Sequence, residues 1–105
     1  MANTTTATGQ VITITGLDAN WDLETDFGHS PIVLSSIEFI PSDTGDTMVV
    51  SAGNGGATLF KAVCADRYDQ KTKIFDPPIQ TDLYINISGC SIATPADAMV
   101  ILTFS

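Results

Sequence analysis

The stretch Thr47-Met48-Val49-Val50-Ser51-Ala52-Gly53-Asn54-Gly55-Gly56-Ala57-Thr58-Leu59-Phe60-Lys61-Ala62-Val63-Cys64 decides the fold. Two runs rich in β-branched and apolar residues flank Gly53-Asn54-Gly55-Gly56, a segment that tolerates positive φ. The spacing predicts a hairpin that pairs residues 46–52 with 57–64. Immediately upstream, Pro41-Ser42-Asp43-Thr44-Gly45-Asp46 is a turn by composition.

Further upstream, Ile32 to Ile40 is a long strand. Val33, Ile37 and Phe39 share one parity, and Leu34, Glu38 and Ile40 share the other, which predicts cover on both faces. Trp21 to Phe27 alternates. Trp21, Leu23 and Phe27 point one way and Asp22, Glu24 and Asp26 the other, as in a half-buried strand. Val11 to Thr15 is a short strand ended by Gly16. Residues 1–9 are Thr-rich and lack a hydrophobic pattern. They predict a flexible or partner-ordered N-terminal arm ahead of a domain over 10–105.

Downstream of the hairpin, residues 65–78 are the least regular, with Tyr68, Pro77-Pro78 and a short strand around Lys73-Ile74-Phe75. Ile79 to Ser88 alternates with Leu83, Ile85 and Ile87 inward and Asp82, Tyr84 and Asn86 outward. Thr94-Pro95-Ala96-Asp97 is a turn whose Thr and Pro suit the start of a helical turn. Ala98 to Phe104 is a final strand, apolar on both faces, that ties the C-terminus into a sheet. Seven or eight short strands at spacings near ten residues predict a single all-β domain. The architecture expected is one antiparallel β-sandwich, jelly-roll-like or immunoglobulin-like.

The bulk numbers bound the function. A chain of 105 residues is one domain by length. Charged residues make up 15%, against about 25% in an ordinary soluble domain. Either partners cover much of the surface, or Thr, Ser and Asn dress it in place of Lys and Glu. The net charge is −8, so the surface repels phosphate and direct nucleic-acid binding is not expected. All four basic residues, Lys61, Arg67, Lys71 and Lys73, fall between positions 61 and 73. That asymmetry lets the basic segment of one copy meet an acidic surface of a neighbour, although Asp66, Asp69 and Asp76 share the segment. No apolar run approaches the ~20 residues of a membrane helix, so no membrane partner is expected. The Met1-Ala2-Asn3-Thr4 start has no basic-plus-apolar pattern, so no secretory leader is expected, and Cys64 and Cys90 read as buried thiols rather than a disulfide pair.

Motifs that carry chemistry are sparse. His29 stands in Phe27-Gly28-His29-Ser30-Pro31, a turn without a nucleophile-elbow pattern. One His and two distant Cys give no zinc-ligand spacing. Asp18-Ala19-Asn20-Trp21-Asp22 begins like a calcium loop, but Leu23 stands where that loop needs Gly and His29 where it needs Glu. The sequence assigns no catalytic residue, no cofactor and no metal ligand. Trp21 shares parity with Leu23 and Phe27 and belongs to the core rather than to a sugar-stacking platform. Tyr84 shares parity with Asp82 and Asn86 and is a candidate interface anchor.

The run from Ser36 through Pro41, Gly45-Asp46 and Thr47-Met48-Val49-Val50 resembles a pattern in small virion proteins of tailed bacteriophages. There, a strand ending in aromatic-x-Pro leads through a Gly-Asp turn to a Val-rich strand and a Gly-rich hairpin, as in Gly53 to Leu59. The resemblance covers residues 32–104, and its clearest part is 35–62. It implies a capsid decoration (cement) protein or a related head or tail protein, usually a β-sandwich and often a trimer, in the virion after synthesis in the bacterial cytoplasm. Its partners would be copies of itself and the major capsid protein or other virion subunits. It carries over no catalytic residues. Candidate contact residues are Thr4, Thr5 and Thr6 of the arm, Lys61, Arg67, Tyr68, Lys71 and Lys73 of the basic segment, and Tyr84. The competing classes are a carbohydrate- or receptor-binding β-module of a fibre, which needs exposed aromatics, and a small hydrolase, which needs convergent polar residues.

Overall fold

A computed structural model describes residues 3–104. Nine strands are present among these: β1 (Thr4–Thr8), β2 (Val11–Thr15), β3 (Trp21–Asp22), β4 (Ile32–Ile40), β5 (Thr47–Ser51), β6 (Thr58–Val63), β7 (Lys71–Thr81), β8 (Tyr84–Ile85) and β9 (Met99–Phe104). They form two antiparallel sheets, ordered β1-β2-β9-β4-β7 and β3-β8-β5-β6. The sheets face each other as an all-β sandwich. The hairpin predicted from the Gly-rich turn is β5–β6, with Thr47 opposite Val63 and Val50 opposite Phe60. Gly53 and Gly55 take positive φ in its turn, where a side chain would be strained.

The core lies between the sheets. Ile12, Ile14, Val100, Leu102, Ile37 and Phe39 enter from the five-stranded sheet; Trp21, Ile85, Met48, Val50, Phe60 and Ala62 enter from the other. Period-two alternation supplies both sets.

β4 corrects one expectation. Its inward residues are Ile32 and Leu34, then Ile37 and Phe39. The change of parity is a β-bulge between Leu34 and Ser36, visible in the register with both β7 and β9. One extra residue turns the strand over, so Ile32, Leu34, Ile37 and Phe39 form one core face read through a bulge, while Val33 stays exposed and Ile40 half-buried on the outer side. On β9 the double apolar face is real. Val100 and Leu102 are buried, while Met99 and Ile101 are half-buried on the outer face, opposite Thr15 and Thr13 of β2.

The arm expected over residues 1–9 is corrected from Thr4 onward. Thr4–Thr8 is an edge strand paired with β2 across a tight turn at Gly9-Gln10. Residues 1 and 2 lie outside the described residues. Thr is β-branched and serves either face, so this strand lacks the alternation that marks a half-buried one.

The strand expected over Trp21–Phe27 is also shorter than its pattern. Only Trp21 and Asp22 are extended, and Leu23–Phe27 form a π-helical turn closed by Gly28 N–H donating to the Leu23 carbonyl at 3.2 Å. The Asp22 carboxylate accepts from Glu24 N–H, and the Asp26 carboxylate accepts from Asp22 N–H at 2.8 Å. These local bonds satisfy the backbone as a ladder would, and the alternation cannot distinguish the two. Farther on, the alternation of residues 79–88 spans a change of sheet. Residues 79–81 belong to β7, 84–85 to β8, and 87–89 form a single 3-10 turn. Pro95–Asp97 form another 3-10 turn after Thr94, with Pro in its first turn, as the Thr-Pro pair suggests.

Candidate interaction surface

The two sheets give the sandwich two lateral flanks. One is formed by the edge strands β1 and β3, and the other by β6 and β7. Apart from Tyr84 on the inner strand β8, the contact residues predicted from sequence divide between them and do not make one patch.

On the first flank, Thr4 and Thr6 are exposed. Thr5 is half-buried, and its hydroxyl accepts the indole N–H of Trp21 at 2.9 Å. Trp21 is fully buried, so the polar atom of its ring has this partner within the protein. The Asn3 amide donates to the Ala19 carbonyl at 2.9 Å. The π-helical turn packs against β1 and carries exposed Glu24 and Asp26. This flank contains no Lys or Arg.

The second flank holds all the cations. Lys61 is exposed on β6, Arg67 lies in the β6–β7 connection, and Lys71 and Lys73 lie on β7. The large hydrophobics most exposed among the described residues are here too: Tyr68 at 75%, Ile74 at 73% and Val63 at 62%. Arg67 stacks 4.9 Å from the Tyr68 ring centroid and donates to its hydroxyl at 2.7 Å. Lys73 lies 5.4 Å from the Phe75 centroid. Lys71 pairs with Asp69 at 3.2 Å. The Ala65 N–H and then the Lys71 ammonium hold the Asp69 carboxyl below the usual carboxylate range.

The connection between β6 and β7 is rooted by Asp46. This carboxylate is 2% exposed. It accepts from the N–H and hydroxyl of Ser42 at 2.7 and 2.6 Å, from Asp43 N–H at 3.3 Å and from Ala93 N–H at 3.0 Å. Burial opposes its ionisation most strongly of any single influence, yet these bonds together hold it below the usual range. Asp46 also receives Cys64 N–H at its backbone carbonyl, at 2.9 Å, where β6 ends. Sequence reasoning placed Asp46 in a turn and missed this role. Gly45-Asp46 between two strands was the only local signal, and Ala93 is 47 residues away.

Other candidates separate. Tyr84 is half-buried on β8, opposite Asp22 and Ser51, within the second sheet. The Ser30 hydroxyl donates to Asp82 at 2.7 Å, with no imidazole between them, and His29 is exposed beside it. Cys64 is buried, Cys90 only half-buried, and both are free thiols, each pushed up by burial. The expectation that both are buried is corrected for Cys90, which lines a cleft of about 200 Å³ with Leu17, Asp18, Ile87, Ile92 and Pro95. That volume falls below the roughly 300–1,000 Å³ of ordinary ligand pockets. No helix among the described residues is long and apolar enough to cross a membrane.

Compared with protein-family models, curated proteins and solved structures, the chain matches none.

Proposed function

We propose that this chain is a non-enzymatic structural subunit of a tailed-phage particle, a capsid decoration (cement) protein that stabilises the shell through subunit contacts. The particle assignment rests on the sequence resemblance over residues 32–104. One observation supports a contact-making role. All four cations and the three most exposed large hydrophobics, Val63, Tyr68 and Ile74, lie on β6, β7 or the connection between them in an otherwise acidic domain. Exposed apolar side chains interspersed with charge are the composition of a protein contact. The bulge in β4 gathers Ile32, Leu34, Ile37 and Phe39 on the core face, but Val33, Ile40, Met99 and Ile101 remain on the outer face of the large sheet.

In this reading the partners are further copies of the chain and the major capsid protein, and the location is the virion. Burial of Trp21 leaves the competing sugar-binding module without the ring it most needs. Mass spectrometry of purified particles tests the proposal. The chain should be present in fixed stoichiometry, and particles lacking it should rupture at lower temperature or osmotic stress. Its absence from particles would sink the reading.

A further inference from the structure

Among the described residues the five-stranded sheet ends in two strands with unpaired edges: β1 bonds only to β2, and β7 only to β4. Such edges are templates for another strand. Their surroundings differ in charge. β1 lies beside Asp22, Glu24 and Asp26, with no cation on that flank. β7 carries Lys71 and Lys73, with Arg67 and Lys61 on the same flank and exposed Ile74 on the strand itself. The acids on the β7 flank are Asp66, Asp69 and Asp76, with Glu38 on neighbouring β4. Asp69 is paired to Lys71, Asp66 accepts from Tyr68 N–H at 2.8 Å, and Glu38 accepts from the Gln70 amide at 2.8 Å.

We propose that β7 of one copy receives β1 of a second copy, so that the chains join head to tail through their large sheets. This rests on reading the chain as an assembling subunit and names the surfaces it uses. Every pairing in the sheet is antiparallel, so β1 and β7, four places apart, run in the same direction. A head-to-tail neighbour therefore meets β7 in parallel. Pro77 and Pro78 lack the N–H a ladder needs, which leaves Lys71–Phe75 as the usable length. That is five residues, matching the five of Thr4–Thr8.

Charge selects among the pairings. Two β1 edges would bring acids together, and two β7 edges would bring lysines together; each is disfavoured. Lysine on an edge strand usually discourages pairing. Here it admits the strand flanked by carboxylates and rejects its own kind, a positive and a negative element in one device. A contact between unlike surfaces cannot close as a dimer. It continues to a ring of three or more, or to an open chain.

Light scattering on the full-length protein across a concentration series tests this. The expected result is a concentration-dependent species of trimer size or larger. Glu24→Lys and Lys73→Glu should each weaken it by about tenfold. The double variant, with the charges exchanged, should recover most of the loss. Melting curves of all four proteins separate a contact effect from misfolding. Amide exchange over residues 4–8 and 71–75 should slow at concentrations where the assembly forms. A monomer throughout, a species that stops at a dimer, or single reversals that change nothing would each overturn the proposal. A protein that is monomeric yet found in particles would overturn this inference alone. One that assembles but is absent from particles would overturn only the virion reading.

Discussion

On the flank made by β1 and β3, the exposed strand is fastened inward. Thr5 holds the buried Trp21 indole, Asn3 reaches the Ala19 carbonyl, and the π-helical turn packs beside them. On the flank made by β6 and β7, Phe60 and Ala62 enter the core, but the other large side chains are less covered. Phe75 and Ile79 are only half-buried, and Val63, Tyr68 and Ile74 hardly touch the core. The first flank therefore contributes to the stability of the single chain. The second is anchored by the inner face of β6 and by Asp46, and its outward side chains present most of what a partner can use. The contrast separates two jobs that surface composition alone blurs, since Thr-rich residues 4–8 and the basic segment both read as contact elements.

The comparison can be pressed with substitutions. The largest effect is expected at Trp21→Ala, about 3–5 kcal/mol by denaturant unfolding, from emptying the ring's place in the core. Next comes Asp46→Ala, which orphans the N–H groups of Ser42, Asp43 and Ala93 and should cost about 2–3 kcal/mol. Asp46 is the firm root of the second flank, so this variant should also speed amide exchange over residues 64–70. Thr5→Val keeps strand propensity and shape but leaves the Trp21 N–H without its acceptor, at about 1 kcal/mol. Ile74→Thr should change the stability of the monomer by less than about 0.5 kcal/mol while weakening self-association. A large loss of stability at Ile74, or none at Thr5, would erase the distinction between the flanks.

The pH dependence of Asp46 sharpens the same point. Its carboxyl is depressed in the folded state, so its contribution is present above the unfolded value and lost as pH falls through the folded one. The stability advantage of the wild type over Asp46→Asn should therefore hold at neutral pH and shrink below about pH 4 in acid titrations followed by circular dichroism.

The fold was legible wherever turn chemistry and alternation agreed. The β5–β6 hairpin followed from Gly53 to Gly56, and the inward set Leu83 and Ile85 followed from parity. Three features were hidden for physical reasons. A bulge displaces every later residue of β4 by one face while leaving composition untouched. A π-helical turn at Leu23–Phe27 is set by two short acid-to-backbone bonds, which Asp22 and Asp26 offer but do not advertise. The bond that fastens β1 inward comes from Trp21, 16 residues away from Thr5, and local pattern does not register it. The candidate contact residues were legible as types, since exposed Lys, Arg and Tyr are read from composition. Their division between opposite edges depends on strand order, which no local stretch encodes.

The bond between Trp21 and Thr5 also makes the molecule its own gauge. The chain has a single tryptophan, buried and hydrogen-bonded to the edge strand. Its emission comes from one site, without the averaging that several indoles impose. Displacement of β1 exposes that indole to water and moves the emission to longer wavelength. Addition of a strand outside β1 leaves the indole dry. An unlabelled sample can therefore distinguish a neighbour that adds to the edge from one that replaces it.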